Sequence, residues 1–293
     1  MGFRHADRFW NRDGLALFAW DYPARAEAGK PPVVCLHGLT RNSSDFHRLA
    51  SWLVERDHRV IVPDIRGRGR SDYDPDPMRY VPSTYVDDVS GLLEGLGIHS
   101  AIFIGTSMGG IVTMGLMASK PSLVSAAVLN DVGPEASPTG LARIAAYAGK
   151  AADIENWADA RDYVRRINEA AFPLFGDDEW TAFAGRTFRE DEAGRPCLDY
   201  DPAIAEPIRA GRLKSDPVAL WPLFEDLCRD RPVMLIRGML SDIVSDEIAA
   251  RMKARAPSLE IAQIPDVGHA PLLDEPASLV ALGRFLKQTE GIP

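Results

Sequence analysis

Ala101-Ile-Phe-Ile-Gly105-Thr-Ser107-Met-Gly109-Gly110 runs four apolar residues into a Gly-x-Ser-x-Gly pentapeptide, and an apolar segment over 111–118 follows without a break. That is the pattern of a strand, a sharp turn and a helix. A serine at such a turn sits in a strained backbone conformation with its hydroxyl pushed out at the end of the sheet. Gly105 and Gly109 suit it because side chains there would collide with the neighbouring strand and helix. The Met108 N–H opens the helix, where unpaired donors and the positive end of the dipole face any oxyanion that develops. The pentapeptide alone is a weak signal; its place between a strand and a helix strengthens it.

On the N-terminal side, Asp13-Gly14 between two apolar stretches predicts a hairpin, so the chain opens with antiparallel strands. After a loop around 29–32, Val33-Val34-Cys35-Leu36 reads as a strand buried on both faces, ending in His37-Gly38-Leu39-Thr40. Phe46, Leu49, Ala50, Leu53 and Val54 mark a helix, and a strand over 60–63 follows. The Arg66-Gly-Arg-Gly-Arg70 run is short and broken by glycine, and a structural turn is the better reading. A helix is expected from about Thr84 with Ser83 as its N-cap. Beyond the serine, a strand over 123–130 completes an alternation of buried strands and helices, the pattern of a mostly parallel sheet covered on both faces.

The alternation stops at Pro134. Over 134–231 no strand-like run occurs, and aromatic residues recur at helical spacing, among them Trp157, Tyr163, Phe172, Trp180 and Phe183. This predicts a helical insertion between two parts of one core, 1–133 and 232–293. The sheet resumes with Val233-Met-Leu-Ile236, then a helix over 246–256, a strand over 259–264 and a closing helix over 277–287. The strands total eight.

Composition narrows the function. With 33 Lys and Arg against 42 Asp and Glu, the net charge is -9, which argues against nucleic acid or an anionic membrane surface as partner. Cys35, Cys197 and Cys228 lie far apart without metal-ligand spacing, and no apolar stretch reaches 18 residues. No signal peptide is evident at Met1-Gly-Phe-Arg, so a cytoplasmic location is expected.

A serine hydroxyl is a poor nucleophile near neutral pH and needs a base, itself oriented and stabilised by an acid. His269, in a loop after the last strand, is the base candidate; His37 directly precedes a glycine at a strand end and more naturally braces its loop. Asp242, beyond the strand ending at Gly238, is placed first as the acid, in the chain order Ser, Asp, His. Asp131, just past the strand that follows the nucleophile, is the alternative. The N–H of Leu39 joins that of Met108 as the expected oxyanion donors. HExxH, SxxK and EF-hand patterns are missing from the sequence, which disfavours metal, β-lactamase and nucleotide chemistry.

Taken together, His37-Gly-Leu-Thr40, Pro63-Asp-Ile-Arg-Gly67-Arg-Gly69-Arg-Ser71, Gly105-Thr-Ser-Met-Gly109, Ser241-Asp242 and Gly268-His269-Ala-Pro271 resemble the α/β-hydrolase superfamily. The resemblance implies an α/β-hydrolase fold with a helical cap at the insertion, Ser107 as nucleophile, His269 as base, Asp242 as acid, and Leu39 with Met108 as oxyanion hole. It implies a carboxylic ester hydrolase that needs no cofactor and acts on a small molecule with an apolar part. A serine at the turn separates the chain from the dehalogenase and epoxide hydrolase branches. Members that cleave carbon–carbon bonds usually carry Gly-Pro-Gly after the His-Gly, where this chain has Leu39-Thr-Arg-Asn42. Lactone or carbon–carbon hydrolysis with the same residues, and a ligand receptor built on the fold, are the alternatives.

Overall fold

The computed structural model describes residues 5–26, 30–150, 154–212 and 217–289. Gly29, in the expected loop, and the first four residues lie outside them, and Lys30 already opens a strand. The core begins with β1 (Ala6–Arg12), β2 (Leu15–Tyr22), β3 (Lys30–Leu36), α1 (His47–Val54), β4 (His58–Asp64), α2 (Pro82–Gly95), β5 (Ala101–Thr106), α3 (Met108–Ser119) and β6 (Val124–Asn130). Within the insertion lie α4 (Pro138–Tyr147), α5 (Trp157–Asn168), α6 (Asp177–Thr187), β7 (Phe188–Glu190), β8 (Pro196–Leu198), α7 (Glu206–Arg209) and α8 (Pro217–Arg229). The chain closes with β9 (Val233–Gly238), α9 (Asp246–Arg255), β10 (Glu260–Ile264) and α10 (Pro276–Thr289).

Eight strands form one sheet in the order β1-β2-β4-β3-β5-β6-β9-β10. The β1–β2 and β2–β4 pairs are antiparallel and the others parallel. Asp13 and Gly14 both take positive φ, 55° and 84°, as the tight turn between β1 and β2 requires. Successive side chains of a strand face opposite ways, so Val34 and Leu36 join one buried apolar layer while Val33 and Cys35 join the other. The second layer continues into the insertion through Tyr163, Phe172, Trp180 and Phe183, so these aromatics extend the core.

Two expectations change. The first turn of α2 starts at Pro82 with Val81 as its cap, because proline at the first helical position leaves no donor to satisfy; Ser83 is inside the helix. The insertion contains an antiparallel strand pair, β7 with β8, whose three-residue strands are too short to show a period in sequence. Helix α8 packs against α3 and buries Trp221, Phe224 and Leu227 in the first apolar layer. This last part of 134–231 packs on a helix of the sheet layer.

The Arg66–Arg70 loop ties the insertion to the sheet. The N–H groups of Gly69 and Asp201 donate to the Asp199 and Gly67 carbonyls across the join. Arg66 is fully buried and bridges Asp88 and Asp74.

Candidate active site

The elbow at Ser107 follows from two glycines. A Cβ on Gly105 would lie 2.5 Å from the backbone of Gly109, and one on Gly109 would run into the Leu36 carbonyl of the adjacent strand. With both sites bare, α3 starts directly after β5 and Ser107 is held at φ 51°, ψ −113°. Its N–H donates to the Asn130 carbonyl at 3.0 Å, which ties the turn to β6.

Ser107 Oγ lies 3.0 Å from His269 Nε2, and His269 Nδ1 lies 2.8 Å from Asp131 Oδ2. Asp131, not Asp242, reaches the histidine. Asp131 is 0% exposed, and its carboxylate is also held by the Gly238 N–H on Oδ1 at 3.0 Å and by the Ser241 hydroxyl on Oδ2 at 2.6 Å. Ser241 Oγ in turn accepts the Ile243 and Val244 N–H groups, so its one proton is left for Asp131. Asp242 is turned to the insertion, where Arg143 of α4 grips it at 2.6 and 2.8 Å. Burial works against the charge of Asp242, but the hydrogen bonds and charge of Arg143 outweigh it and hold the carboxyl below its ordinary range. The expectation that Asp242 faces His269 is thus corrected: its partner is Arg143 of the insertion, 99 residues away in sequence.

Leu39 lines the same cavity as Ser107, and Met108 opens the helix directly after it. Among the described residues neither N–H donates to a protein acceptor, and both belong to loop or helix starts beside the serine. Sequence reasoning missed the residues that hold this frame. Arg68, fully buried, donates through Nε to the Leu39 carbonyl at 3.0 Å and through Nη1 to Tyr85 Oη, so the run read as a structural turn also orients the Leu39 peptide. Asn130 Nδ2 donates to Thr106 Oγ1 and to the Pro271 carbonyl, linking the elbow to the histidine loop. His37 braces the loop, as expected: Nδ1 meets the Gly38 carbonyl and Nε2 accepts the Ile65 N–H.

A cavity of about 90 Å³ opens onto Ser107 and His269. The insertion lines it with Ile144, Tyr147, Tyr163, Ile167, Phe172 and Phe183. Its lining is mostly apolar, with Arg41 held on Asp45 at 2.5 and 2.7 Å and on Thr187 at 2.5 Å. An activated hydroxyl beside two free backbone donors in such a space suits attack on a carbonyl carbon. Among the described residues, no group of three or more His, Cys, Asp or Glu side chains gathers as a metal site, and no helix is long and apolar enough to cross a membrane.

Comparison with known proteins agrees with this architecture. The chain is 34% identical over 277 residues to a 3-hydroxybutyrate-oligomer hydrolase of Cupriavidus necator, covering 92% of each. It is 28% identical to a 2-(acetamidomethylene)succinate hydrolase of Mesorhizobium japonicum, covering 84% of each. A crystal structure of an alpha/beta hydrolase from Novosphingobium aromaticivorans superposes with a TM-score of 0.90 at 43% identity, covering 98% of this chain and 99% of that one. Residues 33–282 match the alpha/beta hydrolase family, and with the eight-stranded sheet and the serine elbow this chain belongs to that family.

Proposed function

We propose that the chain is a serine hydrolase that cleaves a short carboxylic ester through an acyl-enzyme. Ser107 Oγ attacks the ester carbonyl as His269 Nε2 takes its proton, and Asp131 holds the ring and stabilises its cation. The Leu39 and Met108 N–H groups receive the oxyanion. Collapse of that intermediate expels the alcohol, which takes the proton from His269. A water then gives its proton to His269 and attacks the acyl carbon, releasing the acid and restoring Ser107. The reaction calls for no cofactor.

The observation that carries this reading is the continuous Asp131–His269–Ser107 relay, 2.8 and 3.0 Å, opening onto a cavity beside two unpaired backbone donors. The name of the Cupriavidus relative supports an ester between hydroxy acid units as the bond broken. Hydrolysis of p-nitrophenyl acetate and of a 3-hydroxybutyrate dimer by the wild type and Ser107→Ala tests it. Turnover of either ester that vanishes in Ser107→Ala is expected. A wild type inert on both, or a Ser107→Ala variant that keeps its rate, overturns the reading.

A further inference from the structure

A second cavity, of about 140 Å³, lies beside the one at Ser107, and the two share Asp45 and Leu272 as walls. Around it stand Arg48, Arg186, His47 and Asp274, with Arg41 just behind Asp45. Three guanidinium groups therefore meet two carboxylates. Arg41 takes both oxygens of Asp45, and Arg48 donates to Asp274 at 3.0 Å. Arg186, at the end of the cap helix α6, approaches only Asp45 Oδ1, at 3.5 Å and without a hydrogen bond, on an oxygen that Arg41 Nη2 already holds at 2.5 Å. Burial disfavours protonation of His47, whose Nδ1 meets the Tyr22 hydroxyl.

Arg186 is thus a largely buried cation, its side chain 23% exposed, with half a share of the Asp45 carboxylate and only the longer-range pull of Asp274, which Arg48 already holds. Burial acts against its charge, the pull of Asp45 opposes that, and the neighbouring Arg41 adds to the penalty; the balance leaves Arg186 less basic than an ordinary arginine. Its fork of donors suits a carboxylate, which takes two parallel hydrogen bonds. One unbalanced positive charge also matches one negative charge; a doubly charged phosphate would meet Asp45 and Asp274 with too little cation to offset them.

We infer that Arg186 anchors a free carboxylate on the substrate, so that the ester cleaved at Ser107 carries a second, ionised carboxyl group, as a short hydroxy acid oligomer does. This rests on the ester-cleaving reading of Ser107. Arg186 lines the second cavity and not the first, so the carboxylate would lie across the shared Asp45 and Leu272 wall from the ester at Ser107. The cap would then select its substrate by charge as well as by length.

The test compares a 3-hydroxybutyrate dimer as the free acid with its neutral carboxamide, on the wild type, Arg186→Gln and Arg186→Lys. The wild type should prefer the acid at least tenfold in kcat/KM. Arg186→Gln should lower that preference by about 10- to 100-fold, mainly through KM, the size of one or two charge-assisted hydrogen bonds. Arg186→Lys should recover part of it, keeping the charge without the fork. A wild type that treats both dimers alike, or an Arg186→Gln that weakens both equally, overturns the anchor while leaving the serine reading intact if Ser107→Ala is dead. If neither dimer is cleaved, calorimetric binding decides: tighter binding of the acid that Arg186→Gln abolishes supports the anchor, and equal or undetectable binding overturns it.

Discussion

At the scale of single residues, the Asp131 carboxylate collects three donors: His269 Nδ1, the Ser241 hydroxyl and the Gly238 N–H. Asp131→Asn puts a neutral amide there, which no longer stabilises the imidazolium and can select the wrong ring tautomer. Its kcat on p-nitrophenyl acetate should fall by about 10³- to 10⁴-fold, whereas Asp242→Asn, which loses the Arg143 pair and only a longer-range pull on His269, should fall less than about tenfold. Equal losses would break the assignment. The sequence favours Asp242 through the chain order Ser, Asp, His, although each aspartate follows a strand and each can reach a histidine loop. What separates them is Arg143 on the insertion and the Ser241 hydroxyl, and both act through tertiary placement that local sequence does not encode. Ser107 and His269 were legible because glycines and strand ends mark them locally. His37 is the other informative residue. Its Nδ1 faces a carbonyl, so it carries the proton, and its Nε2 accepts an amide N–H, so adding a second proton would set two donors against each other. Burial foremost pushes its pKa down to about 3. The unfolded chain takes up a proton near pH 6.5 and the folded one does not until about 3, so this residue's contribution to stability is intact above pH 6.5 and is lost as pH falls through that window, at about 1.4 kcal/mol per pH unit. Imidazole ¹⁵N shifts at pH 5 should show His37 neutral with its proton on Nδ1; a charged ring at that pH would contradict the brace.

At the scale of elements, α4 is the piece that makes the insertion a roof over the site. Gly140 lets it approach: a Cβ there would run into the Asp242 carbonyl and the Ile243 side chain. Gly140→Ala should therefore cost about 1–3 kcal/mol as α4 is lifted, and should raise KM for esters because Ile144 and Tyr147 on the same helix line the cavity. Gly185, inside α6, has open space where its Cβ would be, and Gly185→Ala should add about 0.5–1 kcal/mol through helix propensity. Urea unfolding of the two variants checks both signs; a neutral Gly140→Ala would mean that α4 does not sit against the 242 loop. The elements differ in how much of them could be foreseen. Parallel strands buried on both faces, such as β3 and β5, announce themselves as unbroken apolar runs. The β7–β8 pair is stabilised by its contacts and not by a pattern of its own, and α8 has helical spacing whether it covers the sheet or the site.

At the scale of the whole molecule, the cap and the core are joined at several places, and together these bound the space available to a substrate. The backbone bonds between 67–69 and 199–201, the Tyr80 hydroxyl on Asp201 at 2.6 Å and the Arg143–Asp242 pair all hold the cap down on the sheet end. The space left at Ser107 is about 90 Å³, well below the few hundred that a drug-sized ligand fills. Buried interiors yield little without cost, so a longer acyl chain must either displace the cap or leave part of itself outside. Across p-nitrophenyl esters from acetyl to octanoyl, kcat/KM should be highest at two to four carbons and at least tenfold lower at eight. Ile167→Ala removes a cavity-lining side chain without touching the relay, and should narrow that difference by admitting the octanoyl chain. Octanoate preferred by the wild type would mean that the cap opens widely in solution and that length is not what it selects. A steep loss at eight carbons that Ile167→Ala relieves would locate chain-length selection in the roof, separate from the charge selection expected at Arg186.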